Sequence, residues 1–293
     1  MQIRVLGSAA GGGVPQWNCN CSNCRSARTD GNFKSRQTQS SAAVSLDGKK
    51  WLLLNASPDL ACQFYSFPSL TPRSGKLRGS ADQAVVLTDG EMDHATGLLS
   101  LREQKSLKLI CTSAVKNLLT RQFPLLLTLE KYCQICHSTF PVQIAGLRVL
   151  ALGLEADKAP LYARRPTRRG DVVALRVEGN GKSFVYLPSL PVINQAVKEF
   201  VAGCDCLLVD GTFWSEREMI TLGLSKRTAH DMGHVPIAGE GGSLEWLCVL
   251  NVPRKIYTHI NNTNPILKKN SRERRTVEQA GVEISHDGMH IRL

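Results

Sequence analysis

The chain has 293 residues, of which 42% are apolar and 21% charged, and carries a formal net charge of +11. That apolar share supports a sizeable core, and the modest charge argues against wholesale disorder. The longest apolar runs, such as Trp51–Leu54 and Leu125–Leu127, fall far short of the ~18 residues a membrane span needs, which excludes an integral membrane protein.

The chain opens MQIRVLGSAAGGG, with one Arg and no apolar stretch of signal-peptide type, so the expectation is a cytoplasmic protein. Its ten cysteines are then reduced thiols or metal ligands rather than a disulfide framework. The basic clusters Arg164-Arg165, Arg168-Arg169 and Arg272–Arg275 have no interleaved aromatics. They read as a solvated basic face, suited to an acidic small molecule rather than to nucleic acid.

Short β-rich runs predict strands over Gln2–Leu6, Ala42–Leu46, Trp51–Asn55, Ala84–Thr88, Leu107–Thr112, Leu147–Leu152, Val172–Val177, Ser183–Leu187, Cys206–Asp210, Lys255–Ile260 and Met289–Leu293. Helical patterns fall over Ala95–Gln104, Ser113–Gln122, Asn194–Ala202, Ser243–Leu250 and Arg272–Ala280. Ser113 and Ser243 read as N-caps, Gly203 and Gly281 as stops. Pro68–Ser80 and Pro160–Gly170 read as loops, neither of them a linker. Paired early strands followed by alternation with helices predict one α/β (α+β) domain over residues 1–293, with sheets covered by helices.

Seven segments could carry chemistry. Cys19, Cys21 and Cys24 lie within six residues of a polar loop (19–24), a spacing that suits structural tetrahedral Zn²⁺ with a fourth ligand from elsewhere. Cys133-Gln134-Ile135-Cys136-His137 matches the haem-attachment spacing, but without export it reads as two thiols and a surface His in a helix-like stretch. The glycine-rich run Gly7–Gly13 lacks the full spacing of either nucleotide-binding loop. Thr88-Asp89-Gly90-Glu91-Met92-Asp93-His94 places four potential ligands at the carboxyl end of an apolar strand. Asp210 and His259 end two other strands, and His234 lies in a Gly-bounded loop, so the expectation is one shared site.

These segments resemble the metallo-β-lactamase fold, whose signature is Thr-His-x-His-x-Asp-His-x-x-Gly-Leu. The resemblance is closer still to the coenzyme PQQ synthesis protein B family. It runs through AGGGVPQWNCNCSNC (10–24), RQTQSSAAVS (36–45), WLLLNASPDL (51–60), LTDGEMDHATGLLSLRE (87–103), LVDGTFW (208–214), MGHVPIAG (232–239) and HINNTNPIL (259–267). It implies an αββα sandwich, and a reactive metal held by Asp93, His94 and His259.

Asp89 and Glu91 stand where the fold's hydrolases have two His, and the bridging Asp expected near Tyr186–Ser189 is missing. A dinuclear hydrolase needs those groups. Two His and one carboxylate remain, the set of a non-haem Fe(II) site, although the same three also hold catalytic Zn²⁺.

The family makes pyrroloquinoline quinone from linked Glu and Tyr. The resemblance therefore implies an iron-dependent hydroxylase acting with O₂ on the tyrosyl ring of a precursor peptide or Glu-Tyr-derived intermediate. In that reading Asp89, Glu91 and Asp210 orient ligands or take protons, and His234 is an acid/base or substrate contact. The cysteine site's fourth ligand in a related phosphodiesterase corresponds to Asn262, so His286 and His290 are substitutes. A soluble carrier of the quinone and a metal-dependent phosphodiesterase are the alternatives, and a homodimer is the general expectation.

Overall fold

Trp51–Leu54 is apolar at every position and buried at every position. A strand of that kind needs cover on both faces, which a layered fold provides. The computed structural model describes residues 1–31, 35–72, 75–79, 82–155 and 159–293, apart from the side chains of Asp82 and Gln83.

Fourteen strands form among these residues: β1 (Gln2–Gly7), β2 (Ser41–Ser45), β3 (Trp51–Leu54), β4 (Asp82–Val86), β5 (Ser106–Ile110), β6 (Gln134–Ser138), β7 (Val142–Ile144), β8 (Leu147–Gly153), β9 (Val173–Gly179), β10 (Lys182–Leu187), β11 (Cys206–Asp210), β12 (Arg254–Thr258), β13 (Glu283–Ile284) and β14 (His290–Arg292). They build two seven-stranded sheets, ordered β14-β1-β2-β3-β4-β5-β6 and β13-β12-β11-β10-β9-β8-β7. In each, one half is antiparallel and the other parallel: β3 to β6 run parallel, as do β10 to β13.

Alternation along the strands sorts the side chains into three layers. Between the sheets, Ile3, Val44, Leu52, Leu54 and Val86 meet Val149, Leu175, Val177, Phe184 and Leu208. On the outer face of the first sheet, Leu53, Val85 and Leu109 pack under Leu60, Leu98, Val115 and Leu129. On the other outer face, Val185, Leu207 and Val209 pack under Val197, Trp246, Leu247 and Val277. Each such buried side chain stabilises the fold by roughly 1.5–3 kcal/mol relative to exposure. The result is the αββα sandwich.

Several local expectations are corrected. The helix expected over Ala95–Gln104 begins earlier, at Met92, and continues as a 3₁₀ turn over Thr96–Leu101. Asp93 and His94 therefore sit in a helical turn rather than in a loop before it. Ser113 is not a cap: Thr112 is, its Oγ1 accepting from Val115 N at 3.1 Å. Ser243 opens its helix after Gly242, and its hydroxyl bonds Tyr257 Oη at 3.0 Å instead.

The Cys133–His137 stretch is edge strand β6, not helix-like; the His137 ring nitrogen Nε2 contacts the carbonyl of Cys111. Strands β6, β7 and β13 and the helices Ser22–Thr29, Leu60–Ser66 and Leu125–Leu129 were not expected. Of the loop Pro68–Ser80, Pro68–Leu70 form a 3₁₀ turn, while residues 73, 74 and 80 lie outside the described residues.

One close approach fixes the helical turn to the sheet. Gly97 N donates to the carbonyl of Ala56, and a Cβ on Gly97 would lie 2.0 Å from the Ser57 carbonyl oxygen and 2.7 Å from that of Ala56. Both obstacles are backbone, so neither can swing aside. Gly97→Ala is expected to destabilise the protein by at least about 2 kcal/mol, measured as a lower midpoint in urea with unchanged slope.

Candidate metal centre

The site lies where the parallel strands β4, β11 and β12 end, the position that α/β sheets offer to ligands. After β4, Asp89 is buried and tied into the chain: its carboxylate accepts from Thr88 Oγ1 at 2.8 Å and Glu91 N at 2.9 Å. It also meets His94 Nδ1 at 2.8 Å. With Nδ1–H donated to Asp89, the His94 ring presents Nε2 forward. That atom is buried and has no hydrogen-bond partner.

After β12, His259 adopts a left-handed backbone, φ 56°, which is unusual away from glycine. The conformation is held from both sides. Ile260 N donates to the Ser8 carbonyl, Ala10 N donates to the Ile260 carbonyl, and Thr212 Oγ1 lies 2.9 Å from the His259 carbonyl. The His259 ring then places Nδ1 2.8 Å from Thr212 Oγ1 and Nε2 3.3 Å from Asp93 Oδ2. His94 Nε2 is 3.8 Å from the same Asp93 oxygen.

Asp93, His94 and His259 thus offer three donor atoms within 4.8 Å of one another. An unpartnered buried imidazole nitrogen beside a carboxylate and a second imidazole is a donor set that fits a divalent cation.

The charges agree with that reading. Burial alone would raise the Asp93 pKa, but His94 and His259 outweigh it and hold the carboxyl well below its usual range. Burial alone would lower His94, yet Asp89 and Asp93 push it up to about 9. His259 is pulled down, chiefly by burial. A ring bonded to a carboxylate through Nδ1 is the common orientation of a metal-binding His.

Asp210, His234 and His259 form a second close group. Here the polar atoms satisfy one another. Asp210 accepts from Leu190 N, from Thr212 N and Oγ1, and meets His234 Nδ1 at 2.6 Å. Those four bonds occupy both carboxylate oxygens, so Asp210 orients rather than ligates. The His234 ring stacks on His259 with centroids 5.4 Å apart.

Glu91 lines the cavity above these groups, a space of about 320 Å³ also bounded by Gly11, Leu161, Pro191, Phe213, Arg227 and Met232. Where the bridging Asp of the hydrolases was expected, Ser189 lines the cavity and the buried Tyr186 bonds Ser40.

Cys19, Cys21 and Cys24 converge separately, their sulfur atoms within 4.8 Å of one another. Cys24 lies in the helix Ser22–Thr29, and Cys21 caps it. Asn262 closes the group: its Nδ2 is 3.2 Å from Cys24 Sγ, and its carbonyl lies 3.4 Å from Cys21 Sγ. His286 and His290, expected as substitutes, do not join it. His286 Nδ1 contacts the carbonyl of Asp287, and His290 lies exposed on β14. Burial, with the neighbouring sulfurs, pushes the Cys21 thiol up to about 11, while at Cys19 burial is outweighed by hydrogen bonds from the same group, which pull its thiol down.

Sequence reasoning missed Thr212, Tyr162 and Arg227. Thr212 follows an Asp-Gly pair and reads locally as a turn residue. Tyr162 hydrogen-bonds the Gly90 carbonyl and so ties the loop 160–170 to the ligand-bearing turn.

Fold and site together define a metalloprotein of β-lactamase type: the Beta-lactamase superfamily domain model matches residues 50–260. More narrowly, the chain belongs to the coenzyme PQQ synthesis protein B family. It is 45% identical to that protein from Methylococcus capsulatus and 42% identical to that from Pseudomonas aeruginosa, each over the whole of both chains. The crystal structure of Zn²⁺-bound PqqB from Methylobacterium extorquens matches with TM-score 0.91 at 37% identity, again over both whole chains. A diphosphatase from the PhnP family matches with TM-score 0.71 at 20% identity, covering all of this chain and 97% of the other, a likeness of fold alone. Among the described residues, no helix is long and apolar enough to cross a membrane.

Thr212 makes a specific prediction. Thr212→Val removes the acceptor of His259 Nδ1 and is expected to weaken divalent-metal binding roughly 10–100-fold, the usual cost of losing such a partner. Thr212→Ser keeps the hydroxyl and should stay close to wild type. Chelator competition reads both.

Proposed function

We propose that this chain acts in the synthesis of pyrroloquinoline quinone, hydroxylating the tyrosyl ring of a Glu-Tyr-derived precursor with Fe(II) and O₂. The observation that carries the reading is the donor set. Asp93, His94 and His259 supply one carboxylate and two imidazoles, and Asp89, in place of a second metal's His ligand, is consumed in orienting His94. The overall change exchanges a ring C–H for C–OH. One oxygen atom of O₂ enters the ring and the other leaves as water, with two electrons and two protons from an external reductant.

Bound Fe(II) supplies the one-electron chemistry that lets O₂ react with an aromatic ring. The chain's own groups do the rest. Asp89 and Thr212 fix the two imidazoles, so the ligand atoms need no rearrangement when the cation arrives. His234, held through Nδ1 by Asp210, keeps Nε2 as the ring atom that can take or return a phenolic proton. Leu161, Pro191, Phe213 and Met232 give the ring an apolar wall.

The cysteine cluster would hold a structural Zn²⁺, with Asn262 at the remaining corner. A second reading is a zinc hydrolase, favoured by the Zn²⁺-bound relative from Methylobacterium extorquens and opposed by the absent His pair and bridging Asp.

The test is anaerobic reconstitution with Fe(II), followed by metal analysis of wild type, His94→Ala and Cys21→Ala. Wild type should hold Fe and Zn, His94→Ala should lose only Fe, and Cys21→Ala only Zn. The Fe-loaded protein should then consume one O₂ per ring hydroxylated when given precursor and reductant. Unchanged metal content in His94→Ala would remove the reactive site. Phosphodiester hydrolysis abolished by His94→Ala would favour the hydrolase.

A further inference from the structure

The cavity above Asp93, His94 and His259 has an uneven charge distribution. Asp89, Glu91 and Asp93 lie on its metal side, while Arg227 is the one Lys or Arg among its lining residues. Among the described residues no carboxylate lies within ion-pair distance of the Arg227 guanidinium, although seven other basic side chains, His aside, have such partners: Arg102, Arg148, Arg165, Arg176, Lys182, Arg254 and Arg274.

Asp231 is in electrostatic reach of Arg227, and its carboxylate also holds the local turn, accepting from Thr228 N at 2.9 Å, while Asp231 N donates back to Thr228 Oγ1 at 3.1 Å. The segment that carries Arg227 is braced a second time, by His230 Nδ1 against Glu216 Oε2 at 2.6 Å. It ends at His234, whose Nδ1 is fixed by Asp210. One doubly braced segment therefore lines the same cavity with both Arg227 and His234.

From this placement we infer that Arg227 anchors a carboxylate of the substrate, with the aromatic body lying along Leu161, Pro191, Phe213 and Met232. The inference rests on the proposed function only for which end of the ligand reacts. The recognised chemistry is an aryl group joined to a carboxylate. A guanidinium suits it because its planar fork pairs with both carboxylate oxygens, and a neutral amide of the same shape cannot reproduce the charge. Arg227 is the cavity's one guanidinium and lies away from Asp89, Glu91 and Asp93, so the carboxylate end of the substrate has one side-chain cation to seek.

The test is equilibrium binding of 3-(4-hydroxyphenyl)propanoate and of its primary amide to the Zn²⁺-loaded protein, which separates recognition from any oxygen chemistry. Wild type should bind the acid roughly 10–100-fold more tightly than the amide, the range of a charge-assisted hydrogen bond. Arg227→Gln should erase that ratio by weakening the acid alone, leaving amide affinity and metal content unchanged. Arg227→Lys should restore part of it.

Three results would overturn the inference: an acid-to-amide ratio unchanged in Arg227→Gln, equal loss of both probes, or no measurable preference for the acid in wild type. If the ratio behaves as expected while the Fe-loaded protein consumes no oxygen, the anchor stands and the hydroxylase reading falls.

Discussion

Two imidazoles whose Nδ1 atoms are already committed set the terms for the whole site. His94 is turned by the buried Asp89 carboxylate and His259 by the Thr212 hydroxyl, which is itself bonded to Asp210. Each ring is left with Nε2 beside one oxygen of Asp93. Leaving a polar nitrogen buried without a partner costs about 1–3 kcal/mol, and His94 Nε2 is such an atom. The fold carries that cost where a cation would relieve it, a common arrangement at functional sites, which concentrate strain and perturbed ionisation.

The sandwich makes the arrangement feasible. The last three residues of β4 and of β12, and all of β11, are buried, and the strands end near one another at the seam between the sheets, so their terminal residues are positioned by the core rather than by flexible loops. The backbone takes a left-handed turn at one of these ends, His259 after β12, and another at Asn55 after the neighbouring strand β3. Asn55 is held by a reciprocal pair of bonds with Thr88, and His259 by the contacts that bracket it. Tertiary bonding fixes both against their intrinsic preference.

The sequence was most informative where burial is two-sided. Trp51–Leu54 and Cys206–Asp210 are dense apolar runs, Lys255–Ile260 is rich in β-branched and aromatic residues, and all three are strands in the structure to within two residues at either end. The edge strands β6, β7 and β13 were hidden because exposure lets polar residues alternate with apolar ones: β6 reads Gln-Ile-Cys-His-Ser, and its spacing imitates a helix as easily as a strand. Polar residues at strand ends pointed to one shared site, while the particular pairing of Asp93 with His259, 166 positions away, came through family resemblance. Thr212 carried no signal, because a hydroxyl after Asp-Gly has ample local reasons to exist. Looking for a histidine beside the cysteines failed because His286 and His290 lie elsewhere and an amide, Asn262, fills that corner.

The short stretch from His259 to Asn264 serves both sites at once. Its first residue aims an imidazole at Asp93, while Asn262 touches the sulfurs and the side chain of Asn23 bonds the carbonyls of Asn262 and Asn264. The thiol cluster therefore braces the stretch that carries His259. Oxidation of any one of its sulfurs would slacken the far end of that stretch, and redox damage there would be felt as misalignment of the imidazole beside Asp93.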